Sequence, residues 1–326
     1  MSSVLRRCVI AGVGSYLPAR RIGNDELALS VDTSDEWIRS HTGIGFRHFA
    51  AADEKASDLG VHAAQASLAA AGLAAADLDM ILVATSTGDY TGFPSTASII
   101  QGRLKALSAG AVDLAAACTG YVYALASGTA FVESGAARHV LVVGTEVMSR
   151  ALDWGDRSTC VLFGDGAGAT VLSAGPPARD DSQRGVLGSI LRSDGTGAGV
   201  LKIAPAEGSP RACVRMEGRA VYNFAVRVVT ELIEEMGKAH GITWRDLKAI
   251  VPHQANLRIL TAAAKRLGLP ADLFFVNMER VANTSAASIP IAFAEMSASG
   301  RLQRGDLVLT LGFGGGLTWG ANLIRW

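Results

Sequence analysis

Neither sign of charge is in excess: 30 Lys and Arg stand against 30 Asp and Glu in 326 residues. Such a chain has no global field to draw in nucleic acid or an anionic membrane, so a partner must be recognised by a local patch. Cysteine is scarce and unpaired. The four (Cys8, Cys118, Cys160 and Cys213) lie far apart without a C-x-x-C pair, which argues against a zinc site or a disulfide framework and suits a reducing cytosol. Cys8, Cys160 and Cys213 fall in apolar, strand-like runs and read as structural. A long apolar run is missing near the start, where Arg6 and Arg7 precede only Cys8 to Val13 before glycines. That is too short for a secretory or membrane segment, and a cytoplasmic protein is expected. A dinucleotide fingerprint is missing too. In Gly12-Val-Gly14-Ser-Tyr-Leu17-Pro18 the third glycine position is Leu17, and Pro18 stands where a phosphate-binding helix should already be running.

What is present is a large core and a regular alternation. With 49% hydrophobic residues the chain can build one large domain or two ordinary ones. Helical spacing over 57–71, 96–106 and 119–133 alternates with apolar strands over 77–84, 110–117, 139–144 and 167–173, which predicts an α/β protein with a mixed or parallel sheet. Val112-Asp-Leu-Ala reads as a buried strand, and Gly164-Asp-Gly-Ala-Gly168 as a tight turn entering the next one. Residues 174–185 shift to Pro and charge, a linker. The pattern then restarts, with strands at 186–193, 246–252, 306–311 and 318–325 and helices at 218–240, 256–267 and 284–298. Two halves are expected, 1–173 and 186–326, related by internal duplication. Ser134-Gly135 is echoed by Ser299-Gly300, an offset of 165 that carries Cys118 onto Asn283. In a pseudo-twofold structure those two helix starts would meet in one cavity.

Cys118 stands where an apolar run ends and a small-residue helix begins. Unpaired N–H groups at a helix start favour thiolate and can bring a thiol pKa from about 8.5 into the range of roughly 3.5–7.5. His253 lies just beyond an apolar strand, where a side chain projects at a sheet's carboxyl edge. Asn283 opens a helix, and Gly312-Phe-Gly-Gly-Gly-Leu-Thr318 supplies a loop of bare N–H groups for an oxyanion. Trp37, in Thr33-Ser-Asp-Glu-Trp-Ile, is either a core anchor or a flat platform for a base.

These residues carry a resemblance. Thr33-Ser-Asp-Glu-Trp-Ile, Ala116-Ala-Cys-Thr-Gly, Phe163-Gly-Asp-Gly-Ala-Gly-Ala, His253-Gln-Ala-Asn, Ala282-Asn-Thr-Ser and Gly312-Phe-Gly-Gly-Gly-Leu-Thr-Trp-Gly together resemble the β-ketoacyl-acyl carrier protein synthase III family of the thiolase superfamily. The likeness runs through essentially the whole chain. It implies a thiolase-like five-layered α/β/α/β/α fold of two pseudo-symmetric halves and a catalytic triad of Cys118, His253 and Asn283. The implied oxyanion donors are the N–H groups of Cys118 and Gly315. The implied reaction joins a short acyl-CoA primer to malonyl carrier protein with loss of CO₂, initiating fatty acid synthesis. It requires no metal or organic cofactor.

The same resemblance places Thr33, Trp37, Arg157, Gly218, Asn256 and Phe313 along coenzyme A. It makes Phe93 part of the partner subunit's acyl pocket, which implies a homodimer. His41 and Arg219 depart from the commonest pattern, where Arg and Asn stand. The family's carrier protein is acidic, and Arg258, Lys265 and Arg266 on the helix 256–267 form the candidate docking face, in a stretch between Asp246 and Asp272 with no acidic residue.

Rival chemistries lack their residues. A degradative thiolase needs a second cysteine near the glycine loop, and 301–326 has none; an elongating synthase needs a second histidine, and position 283 is Asn. A hydroxymethylglutaryl-CoA synthase needs a glutamate beside the nucleophile, and no Glu occurs between 55 and 132. A specialised acyltransferase or condensing enzyme of secondary metabolism is the alternative left open.

Overall fold

The computed structural model describes residues 7–175, 184–205 and 211–326. Most of the expected linker lies outside them, as do the first residues of Val4 to Val13, whose apolar pattern predicts a strand, and part of the loop 194–210, which with Phe93 is a candidate wall of the acyl pocket. Thirteen strands are present among the described residues, and nine of them build two mixed sheets. The first sheet orders β1 (Cys8–Tyr16), β7 (Asp165–Ala174), β6 (His139–Val147), β4 (Met80–Ala84) and β5 (Gly110–Leu114). Here β4 runs parallel to β5 and β6, with Ala84 beside Leu114 and Gly144, while β7 is antiparallel to both of its neighbours. The second sheet orders β11 (Leu247–Pro252), β12 (Leu307–Gly314), β13 (Thr318–Arg325) and β8 (Gly185–Ser193), with only β11 and β12 parallel. Two small antiparallel sheets pair β2 (Arg20–Gly23) with β3 (Phe46–Phe49) and β9 (Leu201–Pro205) with β10 (Ala212–Met216); of these strands only β10, which holds Cys213, was evident in the sequence pattern. They are short, and their residues mix charge with apolar character.

Seven helices of eight residues or more complete the described structure: α1 (Asp35–Thr42), α2 (Ala56–Ala71), α3 (Thr96–Leu104), α4 (Gly120–Glu133), α5 (Gly218–His240), α6 (Leu257–Leu267) and α7 (Ser288–Ala298). Composition decides their layer. In α4 and α7 nearly every residue is apolar or small, the signature of a helix buried all round. Both pack between the two sheets, α4 against β4, β6, β12 and β13 and α7 against β1, β7 and β11. The amphipathic α5 and α6 keep one apolar stripe, α6 burying Ile259, Leu260, Ala263 and Ala264, and cover the outside of the second sheet. The other outer layer is α2 with α3. The result is the five-layered α/β/α/β/α thiolase-like fold.

The central layer demands close approach. A Cβ on Gly168 of β7 would lie 2.6 Å from the backbone N of Ile291, so only glycine lets α7 settle on this strand. Gly168 is therefore within a strand, and the segment 164–168 is not the expected turn. Two further expectations need correction. β5 is the outermost strand, and Val112 is 46% exposed rather than buried. Cys160, although buried, ends a short helix, Arg157–Cys160, capped by Asp156.

The duplication is visible with a different offset from the expected one. The one-turn helices before α4 and α7 start at 117 and 285, the helices at 120 and 288, and β6 and β12 at 139 and 307, each pair 168 residues apart. Because α4 has 14 residues and α7 has 11, three fewer, the glycines after them, Gly135 and Gly300, are 165 apart. The equivalence of Cys118 with Asn283 therefore fails residue by residue; the offset at the corner carries Cys118 to Ala286.

Candidate active site

Three corners supply the chemistry. The chain leaving β5 makes a single tight turn, Ala117–Thr119, before α4 begins at Gly120. Ala117 is at φ 46°, a left-handed conformation that is costly for a residue with a Cβ. Cys118 thus sits on a strained bend, 8% exposed. His253 follows β11 directly, and its N–H donates to the Leu311 carbonyl of β12 at 2.7 Å. Asn283 runs alongside Phe163: its N–H donates to Leu162 O, and its carbonyl accepts from Gly164 N, both at 3.0 Å. On either side of it Ala282 and Ser285 are also left-handed, at φ 58° and 47°.

Cys118, His253 and Asn283 line one cavity of about 100 Å³, together with Phe313, Gly314, Gly218 and Asn256. The glycine loop leans over the nucleophile. A Cβ on Gly314 would lie 3.0 Å from Cys118 N and 2.8 Å from its Cβ, so a side chain there would collide. The Thr318 hydroxyl ties the next residue to the same corner, within 3.0 Å of the Gly315 carbonyl and 3.2 Å of the Ala116 carbonyl.

Hydrogen bonds fix the polarity of the donors. The Ser288 hydroxyl lies 2.7 Å from His253 Nδ1 and accepts from Gln254 N at 3.4 Å, so its proton can point at Nδ1 and leave hydrogen on Nε2. Burial pushes the His253 pKa down to about 3, which keeps the ring neutral. Asn283 Oδ1 accepts from Ser285 N at 2.9 Å, which assigns the amide oxygen and turns the NH₂ the other way. The cavity therefore holds two uncharged donors opposite a sulfur.

The expected lowering of the Cys118 pKa is reversed. Burial pushes the thiol up to about 11, the Ser285 hydroxyl offsets only part of this, and Glu146 pushes it further up. Desolvation of a thiolate at this buried corner is the largest cause of the shift.

The other expected residues stand apart from this cavity. Thr33, Trp37 and Arg157 do not line it. They gather at α1, where the His41 ring stacks on Trp37 at 4.3 Å and the Arg157 guanidinium lies 5.2 Å from the Trp37 ring centre. Asn256 joins the two regions by donating from Nδ2 to His41 O at 3.1 Å. Ser34, not Thr33, caps α1. Phe93 is 91% exposed, and Arg258, Lys265 and Arg266 are exposed along α6, Arg258 donating to Ser40 O at 3.2 Å. Leu201 reaches the cavity from the loop expected to wall it.

Three residues went unread in the sequence: Ser288, Ser285 and Glu146. Ser288 sits five residues after Asn283, a spacing that signals nothing until the helix start is known. Glu146 lies outside the window searched for an acid near the nucleophile, yet it is fully buried and receives the Ser285 hydroxyl at 3.0 Å. No group of three or more His, Cys, Asp or Glu among the described residues is arranged to hold a metal ion, and no described helix is long and apolar enough to cross a membrane.

Two sheets enclosing two buried helices, with a cysteine, a neutral histidine and an asparagine amide converging between them, define a thiolase-like condensing enzyme, an acyltransferase by class. The chain matches the family model for 3-oxoacyl-[acyl-carrier-protein] synthase III over residues 112–205 and that family's C-terminal model over 238–326. It is 50% identical over 324 residues to β-ketoacyl-[acyl-carrier-protein] synthase III of Acidiphilium cryptum, covering 98% of this chain and 100% of that one. Among solved structures, 3-oxoacyl-(acyl carrier protein) synthase III from Pseudomonas aeruginosa PAO1 superposes with a TM-score of 0.91 at 44% identity, covering 98% of each chain. The priming β-ketosynthase of the R1128 polyketide pathway superposes at 0.90 with 37% identity, covering 98% and 96%. The chain belongs to the 3-oxoacyl-[acyl-carrier-protein] synthase III family.

Proposed function

We propose that this enzyme condenses a short acyl-CoA primer with malonyl-[acyl carrier protein], releasing CO₂ and CoA and initiating fatty acid synthesis in the cytoplasm. The observation that carries the reading is the convergence of Cys118, neutral His253 and the Asn283 amide on one cavity. Cys118 sulfur attacks the acyl-CoA carbonyl, and the N–H groups of Cys118 and Gly315 receive the oxyanion. Removing one such donor typically costs about 10²–10³ in rate. Malonyl carrier protein then enters and loses CO₂. The enolate oxygen is held by His253 Nε2–H and Asn283 Nδ2–H, neither of which carries a charge to lose. Its carbon attacks the acyl-cysteine, giving the 3-oxoacyl carrier product and regenerating Cys118. Neither half-reaction calls for a metal or organic cofactor.

Coenzyme A extends from Phe313, Gly218 and Asn256 past the Asn256–His41 link to Trp37, Thr33 and Arg157. Because His41 covers one face of Trp37 and Arg157 approaches its ring, a base at that end stacks against this group and not on a bare tryptophan. The acidic carrier docks on Arg258, Lys265 and Arg266. Exposed Phe93 enters the acyl pocket of a second copy, so the working unit is a homodimer of chains each made from halves 1–173 and 186–326. The test is acylation by acetyl-CoA read by protein mass, followed by malonyl carrier protein and product detection; an unacylated Cys118 would refute the reading. The likeness to a polyketide priming ketosynthase supports a second reading, in which the same chemistry starts a specialised chain. A panel of straight and branched acyl-CoAs, scored for acyl-enzyme and ketoacyl product, separates the two.

A further inference from the structure

Nothing in the mechanism above receives the proton that Cys118 must lose. His253 is committed as a neutral donor, and burial holds the thiol protonated. One chain of hydrogen bonds leads away from the sulfur. Cys118 Sγ lies 3.5 Å from Ser285 Oγ, and Ser285 Oγ donates to Glu146 Oε1 at 3.0 Å. Since the Ser285 proton is directed at a carboxylate, its oxygen is open to accept from the thiol.

Glu146 is fully buried at the end of β6 and surrounded by donors. Thr87 Oγ1 donates to it at 2.6 Å, Ser86 N at 3.0 Å and Thr85 Oγ1 at 3.3 Å, with Ala286 N at 3.5 Å. These partners are neutral, and no Lys, Arg or His contacts it among the described residues; Cys118 is the titratable group its charge acts on. Burial, the largest effect, raises the affinity of Glu146 for a proton, and the four further donors offset only part of this. A purely structural carboxylate bridging the loops 85–87 and 285–286 would have no need of a hydroxyl that also touches the nucleophile. The left-handed backbone of Ser285 places that hydroxyl between the two.

We propose that Ser285 and Glu146 form the proton relay for acylation, with Ser285 the catalytic residue and Glu146 the positioning residue that receives the charge. As the Cys118 sulfur forms its bond to the acyl carbon, its proton passes to Ser285 Oγ and the Ser285 proton to Glu146. When the tetrahedral intermediate collapses and the bond to the CoA sulfur breaks, the proton returns through Ser285 to the departing thiolate. Glu146 ends ionised, and the products are acyl-cysteine and free CoA thiol. The resting enzyme keeps a neutral, unreactive thiol and ionises it only against a bound thioester.

This rests on Cys118 being the nucleophile, so the experiment reports on both. The burst of CoA release from acetyl-CoA and the alkylation of Cys118 by iodoacetamide are followed from pH 6 to 10 in the wild type, Glu146→Gln, Ser285→Ala and the double variant. Acylation should fall about 10²-fold in each single variant, the size of a lost proton-transfer group, and no further in the double, as for members of one relay. The deficit should shrink as pH rises, because hydroxide then does the work, and Glu146→Asp should recover part of the rate. Decarboxylation of malonyl carrier protein, which takes no proton from Cys118, should fall far less than acylation. A deficit independent of pH with a lowered thermal midpoint, or equal loss in both half-reactions, would make Glu146 only a bridge between loops and overturn the relay. Wild-type acylation in Ser285→Ala would overturn it equally. Acylation persisting in Cys118→Ala would instead sink the assignment of the nucleophile.

Discussion

The bends before α4 and α7 are the same device used for opposite ends. Each is one tight turn opening a helix buried between the sheets, and each has a left-handed alanine near it, Ala117 in one and Ala282 in the other. They differ in what holds the functional residue. Asn283 is pinned from both sides by backbone bonds to Leu162 and Gly164, and its side-chain oxygen is spent on Ser285 N. Cys118 meets one polar side chain, Ser285, at 3.5 Å, and otherwise faces the cavity. A donor must keep its direction throughout the reaction, whereas a nucleophile must move onto its substrate and carry an acyl group. Both bends are held by hydrogen bonds, but the side chain that is fixed belongs to the donor.

That contrast can be broken one bend at a time. Cys118→Ala should remove acyl transfer outright, on the order of 10⁶ as for a lost covalent nucleophile, yet leave malonyl carrier decarboxylation measurable by CO₂ release. Asn283→Ala should reverse the pattern, acylating normally while decarboxylation falls about 10²–10³-fold. A thermal melt separates this from the loss of its turn-capping bond, which costs about 0.5–2 kcal/mol. Decarboxylation at the wild-type rate in Asn283→Ala would remove the amide from the mechanism.

His253 sharpens the comparison through pH. Its pKa is depressed to about 3 in the fold against 6.5 unfolded, so the unfolded chain binds the extra proton first. Stability is therefore full above pH 6.5 and is lost as pH falls toward 3, by at most about 1.4 kcal/mol per pH unit from this group. His253→Gln should flatten that part of the urea-denaturation stability profile, and wild-type decarboxylation should show no titration near pH 6.5. The smallest effect is expected at the rim. Lys265→Glu with Arg266→Glu should slow use of malonyl carrier protein about fivefold at low salt, converging with wild type at high salt. Acylation by acetyl-CoA should not change, and equal losses in both half-reactions would refute docking there.

The alternation of elements was legible because strands buried on both faces and a helix buried all round leave unbroken apolar runs, as at Met80–Ala84 and Gly120–Glu133. The α/β class followed from that alternation, strand ends and helix starts offered Cys118, His253 and Asn283 as candidates, and the five-layered arrangement and their grouping as a triad were implied by the resemblance. The offset of 165 missed the corner because it was anchored beyond a three-residue difference in helix length. The exposure of Val112 was hidden because strand order is not written in any one strand. The thiol's direction of shift was misread for a related reason. A helix start is local and readable, but the burial that overrides it comes from residues scattered along the chain, Ser285 and Gly314 among them. Glu146 shows the same limit: nothing between residues 119 and 146 announces that the two meet through a serine at 285.

Where Gly168 meets Pro290 and Ile291, main chain rests on main chain. Side chains at most contacts can exchange one shape for another over generations, with neighbours turning to make room. At this seam there is no rotamer to turn, so the spacing cannot be adjusted by repacking a side chain. Cys118 is carried by the chain that leaves the first sheet for α4, and Asn283 by the chain that leads into α7. Where α7 lies on the first sheet is thus gauged by the thickness of bare peptide.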